Sequence, residues 1–412
     1  MSDYRQRPQY EVEELLMAVI SMFLFKRGSR NAMDNTAGKR NFKKNIEKMF
    51  GLSLPDLDTA DKLMQKLSPQ EIELIKQNLV KRLIIRKVLY KLRFMGIYYI
   101  VAIDGTGVNS YNKEPYPECP YKTSKNNVRT WTASVLEAKI VCKNGFSISI
   151  ATEWLKNPVD KEFDKQDCEL KAFVRLAEKL KIQYPRLPMV IAADGLYPNQ
   201  TVLNICKQNN WRFIFTFKDG NLKSIWEEIE LLKKIKGNKT QKRYLSDLKH
   251  NITEGYSYIN NISYKQYILN VVETFIEKKS KKKKGKDVNE YFSHVTDFVI
   301  TKQNCQSISH AGRLRWKIEN EGFNEQKNGG YNLQHKYSRT SFVASQNYYQ
   351  CLQIAHMINQ LTYKTQKIKE MIKQNDTLKS LMELAVSTLI SEDFTVDVLF
   401  DEITQNNYQL RY

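Results

Sequence analysis

YYIVAIDG (98–105) and MVIAADG (189–195) are the two stretches that decide how this chain is read. Each is a run of apolar and β-branched residues that reads as a buried strand, and each closes on Asp-Gly. One Asp-Gly after an apolar run is usually a turn. Two of them in matching contexts point instead to carboxylates at strand ends, the edge where open α/β sheets place their active sites. Hard divalent cations take oxygen ligands, and carboxylates on neighbouring strand ends can share them. A glycine after each aspartate lets the backbone turn away and leaves room for a phosphate. Asp104 and Asp194 are therefore the first candidate metal ligands.

Around them the chain alternates in a definite order. RTWTASVLEAKIVC (129–142) and FSISIATEWL (146–155) read as strands, joined as a hairpin at Lys143-Asn144-Gly145. Leu170, Phe173, Leu176 and Leu180 predict a helix around 162–182. Strand MVIAAD (189–194), helix PNQTVLNICKQN (198–209) and strand WRFIFTFK (211–218) follow. The order βββ-α-β-α-β is that of an RNase H-like α/β core, with the first and fourth strands side by side at the sheet centre. An acidic helix would normally follow the fifth strand. Here residues 222–300 intervene and read as largely β, through YSYINN (256–261), YKQYILNVVETFIE (264–277) and EYFSHVTDFVIT (290–301). KKSKKKKGK (278–286) holds seven lysines in nine positions and reads as the basic tip of a long hairpin. Such a tip suits DNA phosphates, the alternative being a solvated loop that blunts a sheet edge.

The delayed acidic helix is GRLRWKIENEGFNEQK (312–327). Arg315 and Glu319 are one helical turn apart and share a face, so Glu319 becomes the third ligand with Arg315 placed to hold a phosphate. Glu321 and Glu325 are competing carboxylates. Glu137 and Glu153 lie on strands, either near the metals or facing solvent. Asp167 and Glu169 open a helix, where acidic residues favour the dipole, and capping is their expected role. Trp316 is expected in the core, with stacking on an unpaired base as the alternative.

The 412 residues exceed one typical domain, and 42% apolar content suffices for a sizeable core. With 65 basic and 45 acidic residues the net charge is +20, which argues for a polyanionic partner and against a small-molecule enzyme. Six cysteines show no C-x-x-C pair, which argues against zinc and a disulfide framework and fits a reducing interior. MSDYRQRPQYEVEE lacks the apolar core of a signal peptide, and LLMAVISMFLF (15–25) is too short to span a bilayer and reads as a buried helix. A soluble cytoplasmic protein is expected. Residues 10–95 look helical, notably LSPQEIELIKQNLVKRLIIRKVLYKL (67–92) with Ser68 and Glu71 as a capping box, while 27–45 reads as a loop plus a short helix. A helical tail begins with SQNYYQCLQIAHMINQLTYKTQKIKEMI (345–372). The expected division is 1–95, a helical region supporting DNA binding or dimerisation; 96–221, the first part of the core; 222–301, the basic β-rich insertion; 302–345, the catalytic helix of the core; and 346–412, the helical tail.

DGT (104–106), KQDCE (165–169), ADGLY (193–197), RWKIEN (315–320) and GFNEQKNGGYNLQH (322–335) together carry a resemblance. From about 80 to 360 the chain resembles a bacterial insertion-sequence transposase of the DDE type, in the branch with a β-rich insertion and a Y-x2-R-x3-E-x6-K signature. The resemblance implies Asp104, Asp194 and Glu319 as ligands of two Mg2+ ions, with Mn2+ able to replace them. The acidic residues stand 90 and 125 apart, the second gap containing the insertion. Arg315 matches the signature arginine. The signature tyrosine falls at Gly312 and the lysine at Gln326, so the neighbouring Lys327 is its candidate replacement. DNA contacts are expected from Arg315, Lys327, Lys336 and the tip lysines Lys278, Lys279, Lys281, Lys282, Lys283 and Lys284, with His335 a further candidate. The implied activity is cut-and-paste transposition: cleavage at transposon ends, then strand transfer into target DNA. A homodimer in the synaptic complex, a nucleoid-associated bacterial location and no membrane partner follow from the resemblance. Two other classes remain open: an RNase H-like nuclease without strand transfer, and a non-catalytic DNA-binding relic, to which the departures at Gly312 and Gln326 lend weight.

Overall fold

A computed structural model describes residues 5–159, 165–217, 222–236, 239–246, 250–281, 286–339, 341–372 and 377–395. The architecture is mixed α/β around one ten-stranded mixed sheet. Its strands are β1 (Tyr99–Tyr111), β2 (Tyr121–Thr123), β3 (Arg129–Val141), β4 (Ser147–Trp154), β5 (Met189–Ala193), β6 (Arg212–Thr216), β7 (Lys239–Ser246), β8 (His250–Tyr264), β9 (Tyr267–Ser280) and β10 (Val288–Thr296). At the centre β1 runs parallel to β5, with Ala102 beside Ala192, and antiparallel to β3, with Ile103 opposite Ala138. β6 continues parallel to β5, while β2 and β4 both pair with β3. All five residues of β5 are buried, as a central parallel strand covered on both faces requires.

β10 pairs antiparallel with β6, and β9, β8 and β7 follow in turn, so the strands of 222–301 extend the core sheet. The expectation of a largely β segment is corrected at its start. Lys223–Lys236 is a helix, and its Ile225 and Ile229 are buried in the core at helical spacing.

Helices α1 (Val12–Leu24), α2 (Arg30–Ala37), α3 (Arg40–Phe50), α4 (Leu57–Met64) and α5 (Pro69–Ile85) precede the sheet. Residues 27–45 are thus mostly helical. Ser68 is the N-cap of α5, yet its hydroxyl donates to Gln70 Oε1 at 2.6 Å and caps no backbone N–H, so the expected capping box is not formed from its side. The later helices are α6 (Glu169–Gln183), α7 (Gln200–Gln208), α8 (Lys223–Lys236), α9 (Cys305–Arg313), α10 (Glu325–Asn328), α11 (Phe342–Tyr363), α12 (Gln366–Met371) and α13 (Leu378–Ser391). α6 and α7 cover one sheet face with Phe173, Leu176, Leu180 and Val202. α9 covers the other, where Ile308 and Ala311 meet Ala102, Val190 and Ala192. The opening helices share an apolar cluster with α11 and α13, closing over Val135 and Trp154 of the sheet.

α11 is buried nearly all round and carries polar residues inward. Lys139 Nζ donates to Gln353 Oε1 at 3.0 Å, and Lys76 Nζ of α5 donates to Ser149 Oγ and Thr152 Oγ1 at 2.9 and 2.8 Å. Both hydroxyls in turn donate to Glu137, which is fully buried. Glu137 therefore does not face solvent; it stands opposite Asp104 in the β1–β3 register, but it is not among the residues that line the cleft described below. Glu153 pairs with Arg175 and Lys179 at 2.8 and 3.0 Å.

The described cysteines, Cys119, Cys142, Cys168, Cys206, Cys305 and Cys351, are all unbridged. No helix among the described residues is long and apolar enough to cross a membrane.

Candidate active site

β1 does not end at Asp104. Its parallel pairing with β5 stops at Ala102, but the strand continues against β3 to Tyr111. Asp104 therefore stands just past the last parallel pair, where the two central strands part. Asp194 follows the last residue of β5, and its Oδ1 accepts from the Leu196 N–H at 2.8 Å in the turn. The strand geometry places both aspartates at the same sheet edge.

Glu319 arrives from the opposite direction. After α9 the chain passes through Arg315 into a π-helical stretch, Ile318–Asn324, a local widening found mostly at functional positions. Ile318 and Phe323 anchor it in the core beside Ala102, leaving Glu319 partly exposed on the cleft. That cleft, about 1070 Å³, is lined by Asp104, Asp194, Arg315 and Glu319, with Trp226, Glu230, Glu273, Tyr291 and His294 on its far wall. The far wall comes from α8, β9 and β10, so residues 222–301 build half of the cleft.

Arg315 Nη1 lies 2.7 Å from Glu319 Oε1 and 3.6 Å from Asp104 Oδ2. The arginine is largely buried, and its Nε has no hydrogen-bond partner among the described residues. Burial pushes Asp104 up to about 7; Arg315 opposes this, while Glu319 and Glu169 add to it. The donor set is all carboxylate oxygen, which fits a hard divalent cation. Among the described residues no three ligating side chains are gathered closely enough to hold an ion as they stand. Arg315 supplies the positive charge between two of them. The ligands would be Asp104, Asp194 and Glu319.

Burial of the Asp104 carboxyl couples the stability of the fold to pH. The folded state holds the proton more tightly than the unfolded chain between about pH 4 and 7, so stability falls as pH rises through that window and levels off above it. Metal-free wild type should therefore lose melting temperature from pH 5 to 8, and Asp104→Asn should flatten that slope. Equal slopes in the two proteins would remove Asp104 as the cause.

The other acidic candidates are occupied. Glu321 pairs with Lys317, and Glu325 pairs with Lys26 at 2.7 Å. Asp167 accepts from the Lys156 N–H at 2.8 Å and binds Arg175, away from the cleft. Glu169 is different: it opens α6, but its carboxylate reaches the backbone of Gly105, so a cap is not its whole role. Trp316 is corrected from the core to the surface: it is 50% exposed and borders the cleft. Lys327 is half-buried on α10, outside the residues that line the cleft. Lys336 sits 4.4 Å over the Tyr111 ring, and His335 packs on Tyr337. On the hairpin, Lys278 pairs with Glu290 and Lys279 with Glu277. Lys281 lies at its described end, and Lys282, Lys283 and Lys284 fall outside the described residues.

The two departures from the signature have physical reasons. A Cβ on Gly312 would stand 2.3 Å from the ring of His294 on β10. That ring is buried and held neutral, pushed down to about 3 by burial and by Arg313 and Arg315. α9 thus approaches β10 too closely for a side chain at 312. Gln326 is fully buried, exchanging hydrogen bonds with Gln353 and contacting His356 Nδ1 at 3.1 Å. A lysine there would bury a charge among neutral partners. Gly312→Tyr should destabilise the fold by about 3 kcal/mol or more, and His294→Ala should restore part of that loss. Chemical denaturation measures both, and an unaffected Gly312→Tyr protein would contradict the close approach.

No protein-family model matches the chain, and no curated protein matches it either.

Proposed function

We propose that this chain is a DDE-type DNA transposase, cutting DNA at element ends and joining the freed 3′ ends to a target. One observation carries the reading: Asp104 and Asp194 stand at the same edge of two adjacent parallel strands, and Glu319 enters the same cleft from a helix beyond a long insertion. The strand order β4-β3-β1-β5-β6, with antiparallel pairs on one side of β1 and parallel pairs on the other, supports an RNase H-like core. The net charge of +20 supports a DNA partner.

Asp104, Asp194 and Glu319 would hold Mg2+, which when bound activates a water or hydroxyl nucleophile and stabilises charge on the scissile phosphate. The protein's own part is positioning and charge. Glu319 and Asp104 share Arg315, and with both carboxylates engaged as ligands its guanidinium would be free to bind a phosphate oxygen in the cleft. Trp316 offers an aromatic surface to a base at the cleft rim. The hairpin tip adds phosphate contacts, and the active form is a dimer that pairs two ends.

The test is an assay with labelled element-end DNA and Mg2+. Cleavage followed by joining of the labelled 3′ end to a second duplex is expected. Cleavage without joining would replace the reading with a nuclease, and neither with a DNA-binding relic. Replacing the lysines of 278–286 with glutamine should weaken DNA binding and flatten the dependence of log K on log salt by about 0.9 for each phosphate no longer neutralised. An unchanged slope would make the tip a solvated loop.

A further inference from the structure

We propose that Glu169 is a fourth carboxylate of this site, reaching the strand edge from the face opposite Glu319 and holding a divalent cation together with Asp104 and Asp194. The proposal rests on the metal-dependent reading above.

The placement is direct. A Cβ built on Gly105 would lie 2.4 Å from Glu169 Oε1 and 2.8 Å from its Cδ. The Glu169 carboxylate therefore fills the space that a side chain at 105 would occupy, one residue from Asp104. Asp104 and Gly105 point to opposite faces of β1, as successive strand residues must. Arg315 and Glu319 meet Asp104 from the α9 side. Glu169 comes from α6, on the other side. The glycine of the first Asp-Gly thus makes room for a carboxylate, where the sequence suggested room for a phosphate.

A helix-start role alone does not account for this residue. An acidic group in a first helical turn is stabilised as an anion. Glu169 is instead pushed up, by burial first and by Asp194 second, and among the described residues no hydrogen bond or cation offsets them.

A second observation points to a missing ligand. Tyr197, at the end of ADGLY, is 1% exposed, and its hydroxyl has no hydrogen-bond partner among the described residues. Its ring packs edge-on against Phe173 of α6 at 5.4 Å, on the side from which Glu169 comes. Burial raises the hydroxyl pKa, and the nearby charges of Glu169, Asp194 and Asp104 raise it further. A buried hydroxyl without a partner costs about 1–3 kcal/mol. Water carried by a cation among these carboxylates would supply the partner.

Mn2+ titration of the full chain without DNA, followed by electron paramagnetic resonance, separates the outcomes. Glu169→Gln should weaken Mn2+ binding on the order of tenfold or more, and Glu169→Asp should fall between it and wild type. Metal-free Glu169→Gln should melt no lower than wild type, because the change removes like-charge repulsion; a purely structural helix-start acid predicts a lower melting temperature. Unchanged Mn2+ affinity in Glu169→Gln, with affinity lost in Asp104→Asn and Asp194→Asn, overturns this proposal and leaves the metal-dependent reading standing. Unchanged affinity in all three overturns that reading itself. Should Glu169→Gln fail to fold, Glu169→Asp decides, since it keeps the charge at the helix start and withdraws the carboxylate.

Discussion

Asp104→Asn, Asp194→Asn and Glu319→Gln should each lower Mg2+-dependent DNA cleavage on the order of a thousandfold, about 4 kcal/mol of transition-state stabilisation, with the fold intact. Each substitution keeps the side-chain shape and removes only the charge. Asp104 sits in a buried place that disfavours its anion, so the amide should not weaken the metal-free fold. Asp194 keeps its turn, because an amide oxygen can still accept from the Leu196 N–H. Glu319 is partly exposed, and its change costs part of one ion pair with Arg315, worth about 1 kcal/mol or less. Circular dichroism and melting curves should therefore resemble wild type while cleavage collapses. Full cleavage by all three variants would remove the site assignment. Loss of folded structure along with activity would make these residues structural.

Glu137→Ala should be the most damaging single change away from the cleft, costing about 3–5 kcal/mol and roughly 10 °C of melting temperature. Glu137 is the buried acceptor for Ser149 and Thr152, which themselves accept from Lys76. Lys76 and Lys139 are both fully buried, and burial lowers both, Lys139 to about 8, while Glu137 opposes the shift. Without Glu137, Lys139 keeps only neutral partners and Lys76 keeps only the charge of Glu73 nearby. The loss should reach beyond the sheet, because the same network joins α5, β3, β4 and α11. Glu137→Ala combined with Lys76→Met and Lys139→Met should recover much of the stability, as replacing a whole buried ionic group by apolar side chains often does. A Glu137→Ala protein that melts like wild type would show that the lysines find other compensation.

The strands around the site are legible because burial imposes a pattern on local sequence. MVIAA has to be apolar throughout to lie between two neighbours, and Lys143-Asn144-Gly145 marks a turn by composition alone. What the sequence hides depends on residues far apart in the chain. Gly312 reads locally as an absent signature tyrosine; its cause is the ring of His294, on a strand 18 positions upstream. Glu169 reads as an ordinary helix-start acid, since nothing local tells which side of Gly105 the helix will meet. The length of β1 beyond Asp104 follows from its pairing with β3, which a single-strand reading does not see. The helix at Lys223–Lys236 is a different case, because Ile225, Ile229 and Leu232 repeat at helical spacing and the signal is present in the sequence.

Arg315 gives the molecule an internal counter-ion. Because the guanidinium already lies between Asp104 and Glu319, completing the fold does not require metal to quiet their repulsion. On the proposed metal-dependent function, folding and metal loading would be separate events, so the chain would mature in an ion-poor setting and be armed later. A chelator would then silence the protein without denaturing it, and readdition of the ion would restore it without a refolding step.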